Sequence, residues 1–190
     1  CERAGIPQYD APRLRAELEV FSVWFLAGLL RVEIDESIRQ RFAALSEYLI
    51  GSVIEQPSVW VHRDFHSRNL MVLEEGELGV IDFQDAVIGP ITYDPVSLLK
   101  DCYIRWPRSQ QLQWLDAYFE QIKLFAEEPP SHAGGIAGQL ADVSAEQCHQ
   151  WFDLTGLQRH LRVLGVFARL HIRDQKSEYL EDLPLLIAYV

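Results

Sequence analysis

The sequence predicts an α+β domain that is mostly α: a helical body carrying one small β-hairpin. Apolar residues recur at helical spacing through most of the chain. Two apolar runs, SVWV at 58–61 and LMVL at 70–73, flank the polar stretch HRDFHSRN at 62–69. After EEGE, a third run, LGVID at 78–82, returns the chain, which reads as a hairpin over 70–82 with a glycine in its turn. Short apolar runs of this kind read as buried strands. A polar segment displayed where such strands end is where binding and catalytic groups concentrate.

Each element has its own signal. Asp10 is placed to N-cap a first helix, with Pro12 tolerated in its first turn. Leu14, Leu18, Phe21, Phe25 and Leu29 then form its apolar stripe. A second helix is expected from about Asp35 to Ile54, with Ile38, Phe42, Leu45, Leu49 and Val53 on one face and Pro57 as its stop. Beyond the hairpin the chain reads as nearly all helical. TYDPVSLLKDCYIRW and SQQLQWLDAYFEQIKLFA are two helical stretches split by Pro107. Residues 127–138, EEPPSHAGGIAG, are rich in helix breakers and read as a loop. The segment from Ala145 to Arg173 reads as one or two helices with a break near Gly156. No internal repeat is present.

Composition narrows the function. With 190 residues, 48% of them hydrophobic, the chain is long enough for one domain or one large lobe with a real core. Its 17 basic and 28 acidic residues give a net charge of −11, which argues against nucleic acid or an anionic membrane as partner. A phosphorylated ligand stays open, because a bound metal supplies positive charge locally. Cys1, Cys102 and Cys148 are odd in number and scattered, so reduced thiols in a cytoplasmic setting are expected. The longest apolar run, residues 23–30, falls well short of the roughly 20 residues that cross a bilayer.

The polar stretch carries the chemistry. Asp64 and Asn69 lie five residues apart, and Asp82 follows thirteen later at the end of the second hairpin strand. Three oxygen-bearing side chains at one hairpin edge suit a hard cation such as Mg²⁺, which takes one or two protein carboxylates plus phosphate oxygens and water. One carboxylate and one amide to hold metal, with a second carboxylate to accept a proton, is the minimal set for phosphoryl transfer to a hydroxyl.

HRDFHSRN resembles the kinase catalytic loop H-R-D-x-x-x-x-N, and IDF at 81–83 resembles the strand that delivers a metal-binding aspartate. Protein kinases themselves are the wrong branch: DFQ stands where they have DFG, no APE follows, and position 66 is His. The pattern H-x-D-x-H-x-x-N followed by IDFQDAVIGPITYDPVSLL is similar to the aminoglycoside phosphotransferase and choline kinase group, small-molecule kinases with a protein-kinase-like fold. YDAPRLRAELEVFSVWFL, DCYIRWPR and WFDLTGLQRHLRVLGVFARL further resemble the bacterial N-acetylmuramate/N-acetylglucosamine kinases, which phosphorylate the anomeric hydroxyl of cell-wall amino sugars during peptidoglycan recycling.

The resemblance implies roles by position. Asp64 is the expected base or orienting group, and Asn69 and Asp82 the expected ligands of Mg²⁺ bound with ATP. His66 either lies near the transferred phosphate or orients Asp64. Asp85 either assists at the metal or faces the acceptor. Asp94 resembles the buried aspartate that caps a helix and holds the catalytic loop through backbone N–H groups. Arg105 and Trp106 are the candidates to line an acceptor pocket. The other acceptors that fit this reading are an aminoglycoside or a choline-like alcohol. A non-catalytic pseudokinase module is the alternative of a different class.

Several tempting features have plainer explanations. His149, His160 and His171 recur every eleven residues, roughly 16 Å apart on a helix and too far to share a metal. Trp24, Trp114 and Trp151 read as core. His62, Arg63 and Arg68 read as loop-bracing or solvated, and Glu17 and Asp153 are weak candidates for a site. GGIAG lacks the strand and spacing of a phosphate loop. A kinase of this type also needs a β-rich nucleotide lid with a strand lysine. Lys100, Lys123 and Lys176 all fall in the helical part. The chain is therefore expected to be the C-terminal, acceptor-binding lobe of a longer protein, with little or no kinase activity by itself.

Overall fold

A computed structural model describes residues 5–125 and 134–190. The chain forms two compact units, one of Cys1–Gln8 with Gln56–Asp153, the other of Tyr9–Glu55 with Leu154–Val190.

The second unit is helical. Helix α1, Ala11–Val20, starts where expected: the Asp10 carboxylate accepts the N–H of Arg13 at 3.1 Å. From Phe21 to Leu29 the chain continues as a π-helix, in which the Leu30 N–H donates to the carbonyl of Phe25 at 2.9 Å. The stripe Phe21, Phe25 and Leu29 was expected to continue an ordinary helix, and the i→i+5 bonding is a departure from that. Helix α2, Glu36–Ile54, is capped by Asp35, whose carboxylate accepts from Ile38 N–H at 2.7 Å. Its buried face differs from the expected stripe: Leu45 is exposed and Ser46 is buried beside Leu49 and Val53. Phe42 reaches Phe21, with ring centroids 5.7 Å apart.

In the same unit, Gly165 sits on helix α6, which runs without a break over Ala145–Asp174. A Cβ at Gly165 would lie 2.6 Å from the backbone N of Phe21 and from the carbonyl carbon of Val20. Only glycine permits backbones that close. Glu17 accepts from the Tyr9 hydroxyl and pairs with Arg162 at 3.4 Å, so it is a structural group. His160 is fully buried and stacked on Tyr189. The chain closes with a 3₁₀ segment, Ser177–Asp182, and a short helix, Leu183–Ile187.

The first unit carries the strands. β1, Ser58–Val61, pairs antiparallel with β4, Val87–Pro90, so that Val61 faces Val87 and Ser58 faces Pro90. β4 is buried along its whole length. β2, Leu70–Val72, and β3, Leu78–Val80, form the expected hairpin, with Gly76 at φ +83° in the turn. Helix α3 covers only Tyr93–Leu99. Residues 100–107, expected to be helical, form an irregular connection to α4, Arg108–Phe125. GGIAG, expected to be a loop, begins helix α5, Gly134–Leu140, while the breaker-rich residues 126–133 lie outside the described region, as does Cys1.

Ile91, Val96, Leu99, Leu115, Phe119, Leu140, Trp151 and Phe152 form one buried cluster in this unit, packing α3 against α4, α5 and the first turns of α6. Each such side chain contributes about 1.5–3 kcal/mol by leaving water. That outweighs ion pairs as exposed as Arg39–Glu36, which solvent screens. Lys100 is nearly buried over the Phe152 ring and pairs with Asp153 at 2.8 Å. Burial pushes its ammonium below the usual lysine range against the pull of Asp153. Asp153 is thereby occupied with Lys100 and Arg108. Cys102 and Cys148 are buried, and neither forms a disulfide among the described residues. His149 faces Asp116 at 2.6 Å, and His171 bonds Ser177 at 3.0 Å. Among the described residues no helix is long and apolar enough to cross a membrane.

Candidate active site

β1 ends at Val61 and β2 begins at Leu70, so HRDFHSRN bridges the β1–β4 pair and the hairpin. Its conformation is held by two carboxylates from opposite ends of α3. At the near end, Asp94 accepts the backbone N–H of His62 at 2.7 Å and of Arg63 at 3.0 Å. This is the loop-holding role the resemblance implied. The helix-capping part of that expectation is not met, because Asp94 lies half-buried within the first turn of α3 and Thr92 is the N-cap residue.

At the far end, just past α3, Asp101 holds the other half of the loop. One of its oxygens accepts both the backbone N–H of Ser67, at 3.1 Å, and the Ser67 hydroxyl, at 2.7 Å. The other accepts the N–H of Tyr103 at 3.2 Å. Tyr103 in turn lies under the Arg68 guanidinium, 3.5 Å from ring centre to Cζ, and edge-on to His66. The clamp fixes a backbone that resists its own shape. Arg63 adopts φ +75°, left-handed geometry that costs a side-chain-bearing residue roughly 1–2 kcal/mol. Its side chain is 4% exposed, and the Ser97 hydroxyl donates to its carbonyl at 3.3 Å.

Inside the loop, the Asp64 carbonyl accepts the His66 N–H at 3.0 Å and the Asn69 side-chain NH₂ at 2.9 Å. With its NH₂ engaged, Asn69 has its side-chain oxygen left to accept. The Asn69 carbonyl also accepts the N–H of Ile81 at 3.1 Å, which brings the start of β2 beside the end of β3. Asp82 follows directly, exposed and at φ +67°. The hairpin thus delivers Asn69 and Asp82 to one edge, with Asp64 joined to them through Asn69. The donor set is all oxygen and holds two protein groups, which fits Mg²⁺ with its remaining positions on phosphate and water. No described residue hydrogen-bonds the half-buried Asp64 carboxylate, so it remains an acceptor. Among the described residues no group of three or more His, Cys, Asp or Glu side chains is placed to hold a metal ion.

His66 is set by its backbone within the loop and by Tyr103, and His62 packs edge-on against Phe65. Asp85 is exposed in the turn leading to β4, without a hydrogen bond to the loop among the described residues. Beside the loop lies a cavity of about 540 Å³ bounded by Phe65, by Asp94, Pro95, Leu98 and Leu99 of α3, and by Trp106, Trp114 and Tyr118. Trp106 is a wall of this cavity, whereas Arg105 is exposed and is not part of its lining. A second cavity, about 610 Å³, shares Phe65 and Asp94 with it and is bounded by Trp60, His62, Phe83 and Gln84.

The profile of a family described as the phosphotransferase enzyme family matches residues 2–134. The chain belongs to that family. It is 40% identical over 187 residues to an N-acetylmuramate/N-acetylglucosamine kinase of Pseudomonas putida, covering 98% of this chain and 51% of that protein. It is 38% identical to the protein of the same name in Neisseria meningitidis, covering 100% of this chain and 53% of the relative. With the Pseudomonas aeruginosa protein of that name the identity is 40%, covering 98% and 52%. This phosphotransferase-family chain spans about half the length of the curated relatives it matches.

Within this phosphotransferase chain, three site residues escaped sequence reasoning. Asp101 is 34 positions from Ser67, a separation governed by no spacing rule. Trp114 and Tyr118 did leave a trace: they stand i, i+4 on α4, one helix face. Only the fold shows that both line the cavity, Tyr118 packing against the buried cluster as well.

Proposed function

We propose that this chain is the C-terminal, acceptor-binding lobe of an ATP-dependent small-molecule kinase, with a preceding lobe supplying the nucleotide lid. The acceptor we assign is N-acetylmuramate or N-acetylglucosamine at the anomeric hydroxyl, in the cytoplasmic recycling of cell-wall sugars. The observation that carries the reading is the gathering of Asp64, Asn69 and Asp82 at one edge by the hairpin and the doubly clamped loop. Identity of 38–40% along the whole chain to kinases of that name supports the choice of acceptor.

In this mechanism Asp64 accepts a hydrogen bond from the acceptor hydroxyl and aligns it for in-line attack on the γ-phosphorus of ATP, taking the proton as the new P–O bond forms. Asn69 and Asp82 would hold Mg²⁺, which would supply positive charge to offset that of the phosphate groups. ADP leaves with the electrons of the broken bond. Catalysis is positioning and electrostatic stabilisation, so a rigid loop matters more than any single reactive group. The clamps of Asp94 and Asp101 supply that rigidity. Phosphorus NMR of the product made from N-acetylglucosamine by the full-length protein tests the assignment. A sugar 1-phosphate is expected, and a phosphate at C6 would overturn the choice of hydroxyl.

A further inference from the structure

We propose that the cavity between the catalytic loop and α4 seats the acetamido group of the acceptor, with Trp106 and Trp114 as specificity-determining residues. The inference rests on the kinase reading above and deepens it. Phe65, next in the chain to Asp64, forms part of the wall, so an occupant is held beside the reacting hydroxyl. At about 540 Å³ the space is of the size that small-molecule sites use.

Its chemistry is one-sided. The walls are indole, phenyl and aliphatic, and the two groups that might recognise a polar ligand are committed elsewhere. The Asp94 carboxylate holds two backbone N–H groups, and the Tyr118 hydroxyl donates to the carbonyl of Ile91 at 3.1 Å. Burial, reinforced by Asp94, pushes the Tyr118 phenol far up, so it stays neutral. A polycationic aminoglycoside would bring several ammonium groups to a wall whose one carboxylate, Asp94, already holds two N–H groups, so most of them would be desolvated unpaired at a cost of several kcal/mol each. A bare hydroxyl fares little better. An acetamido methyl and the C–H face of a pyranose suit such a wall.

Trp106 and Trp114 are built to receive them. Their rings meet at 85° with centroids 5.0 Å apart, and both line the same space. Both remain partly open, 37% and 38% exposed, so neither is spent on the core. Aromatic faces also attract a quaternary ammonium, which makes a choline-like alcohol the competing occupant.

The test compares kcat/KM of the full-length protein on N-acetylglucosamine, glucosamine, glucose and choline, for wild type, Trp114→Ala and Trp114→Phe. A seated methyl-bearing group is worth roughly 10- to 200-fold in discrimination. Wild type should therefore prefer N-acetylglucosamine to glucosamine at least tenfold. Trp114→Ala should cut that ratio fivefold or more, and Trp114→Phe should restore most of it. Saturation-transfer NMR adds a readout free of turnover: the acetamido methyl should receive the strongest transfer in wild type and lose it in Trp114→Ala. Turnover of amino sugars with an unchanged ratio in Trp114→Ala would overturn the inference and leave the kinase reading standing. Turnover on choline but on no amino sugar would overturn the inference and the choice of acceptor together, with phosphoryl transfer to a hydroxyl still standing.

Discussion

Asp94→Asn isolates the clamp on which the catalytic geometry depends. The carboxylate accepts two backbone N–H groups, at 2.7 and 3.0 Å, one of them from a residue at φ +75°. Hydrogen bonds to a charged group contribute about 1.5–3 kcal/mol each. An asparagine keeps one oxygen but turns its NH₂ toward the other donor, so one bond is lost outright and the other loses its charge. A net loss of about 2–4 kcal/mol follows, added to whatever relaxation Arg63 undergoes once released. For a chain of this length each kcal/mol lowers Tm by about 2–4 °C, so a fall of roughly 5–15 °C is expected. Urea unfolding and a thermal scan of the 190-residue chain measure it, with Asp85→Asn as the control. The control is exposed and should change stability by no more than about 0.5 kcal/mol. Hydrogen exchange at the His62 and Arg63 amides should accelerate selectively in Asp94→Asn. A stability within about 0.5 kcal/mol of wild type, with those amides still protected, would refute the reasoning.

Two further substitutions follow from the same geometry. Asp101→Asn in the full-length protein should lower kcat by about 10- to 100-fold, the scale of a misplaced reacting group. It should also raise the Mg²⁺ needed for half-maximal rate, because Ser67 opens the turn that presents Asn69; an unchanged Mg²⁺ requirement would remove Asp101 from the positioning role. Gly165→Ala places a methyl 2.6 Å from backbone that cannot swing aside, so chemical denaturation should show a loss of about 1–3 kcal/mol or more, and a neutral outcome would mean the helices do not approach as described.

How much of this could be seen in the chain alone depended on the range of the interaction. Caps are local, and Asp10 was found where the sequence put it. The catalytic loop was legible because its residues act within a few positions of one another. β4 was missed because a fully buried strand has no alternation to detect. Gly156 suggested a break in α6, yet one mid-helix glycine costs only about 1 kcal/mol, less than the burial of Phe152 and Leu161 on either side of it. The GGIAG helix shows the same priority of packing over propensity, with Leu140 wholly buried at its end. Leu45 and Ser46 exchanged places because either continues the stripe from Phe42, by a step of three or of four, and only tertiary packing decides between them. Asp101 and the wall of Trp106 and Trp114 are tertiary facts, made by residues that meet only after folding.

The central claim is Asp64-dependent phosphoryl transfer to an amino sugar. The direct measurement is ADP release by the full-length protein with ATP and Mg²⁺ on N-acetylmuramate, N-acetylglucosamine, kanamycin and choline, alongside Asp64→Asn. The account predicts turnover on the two amino sugars that falls by about 10²- to 10⁴-fold in Asp64→Asn. Silence on all four acceptors with ATP still bound, or turnover indifferent to Asp64, would contradict it.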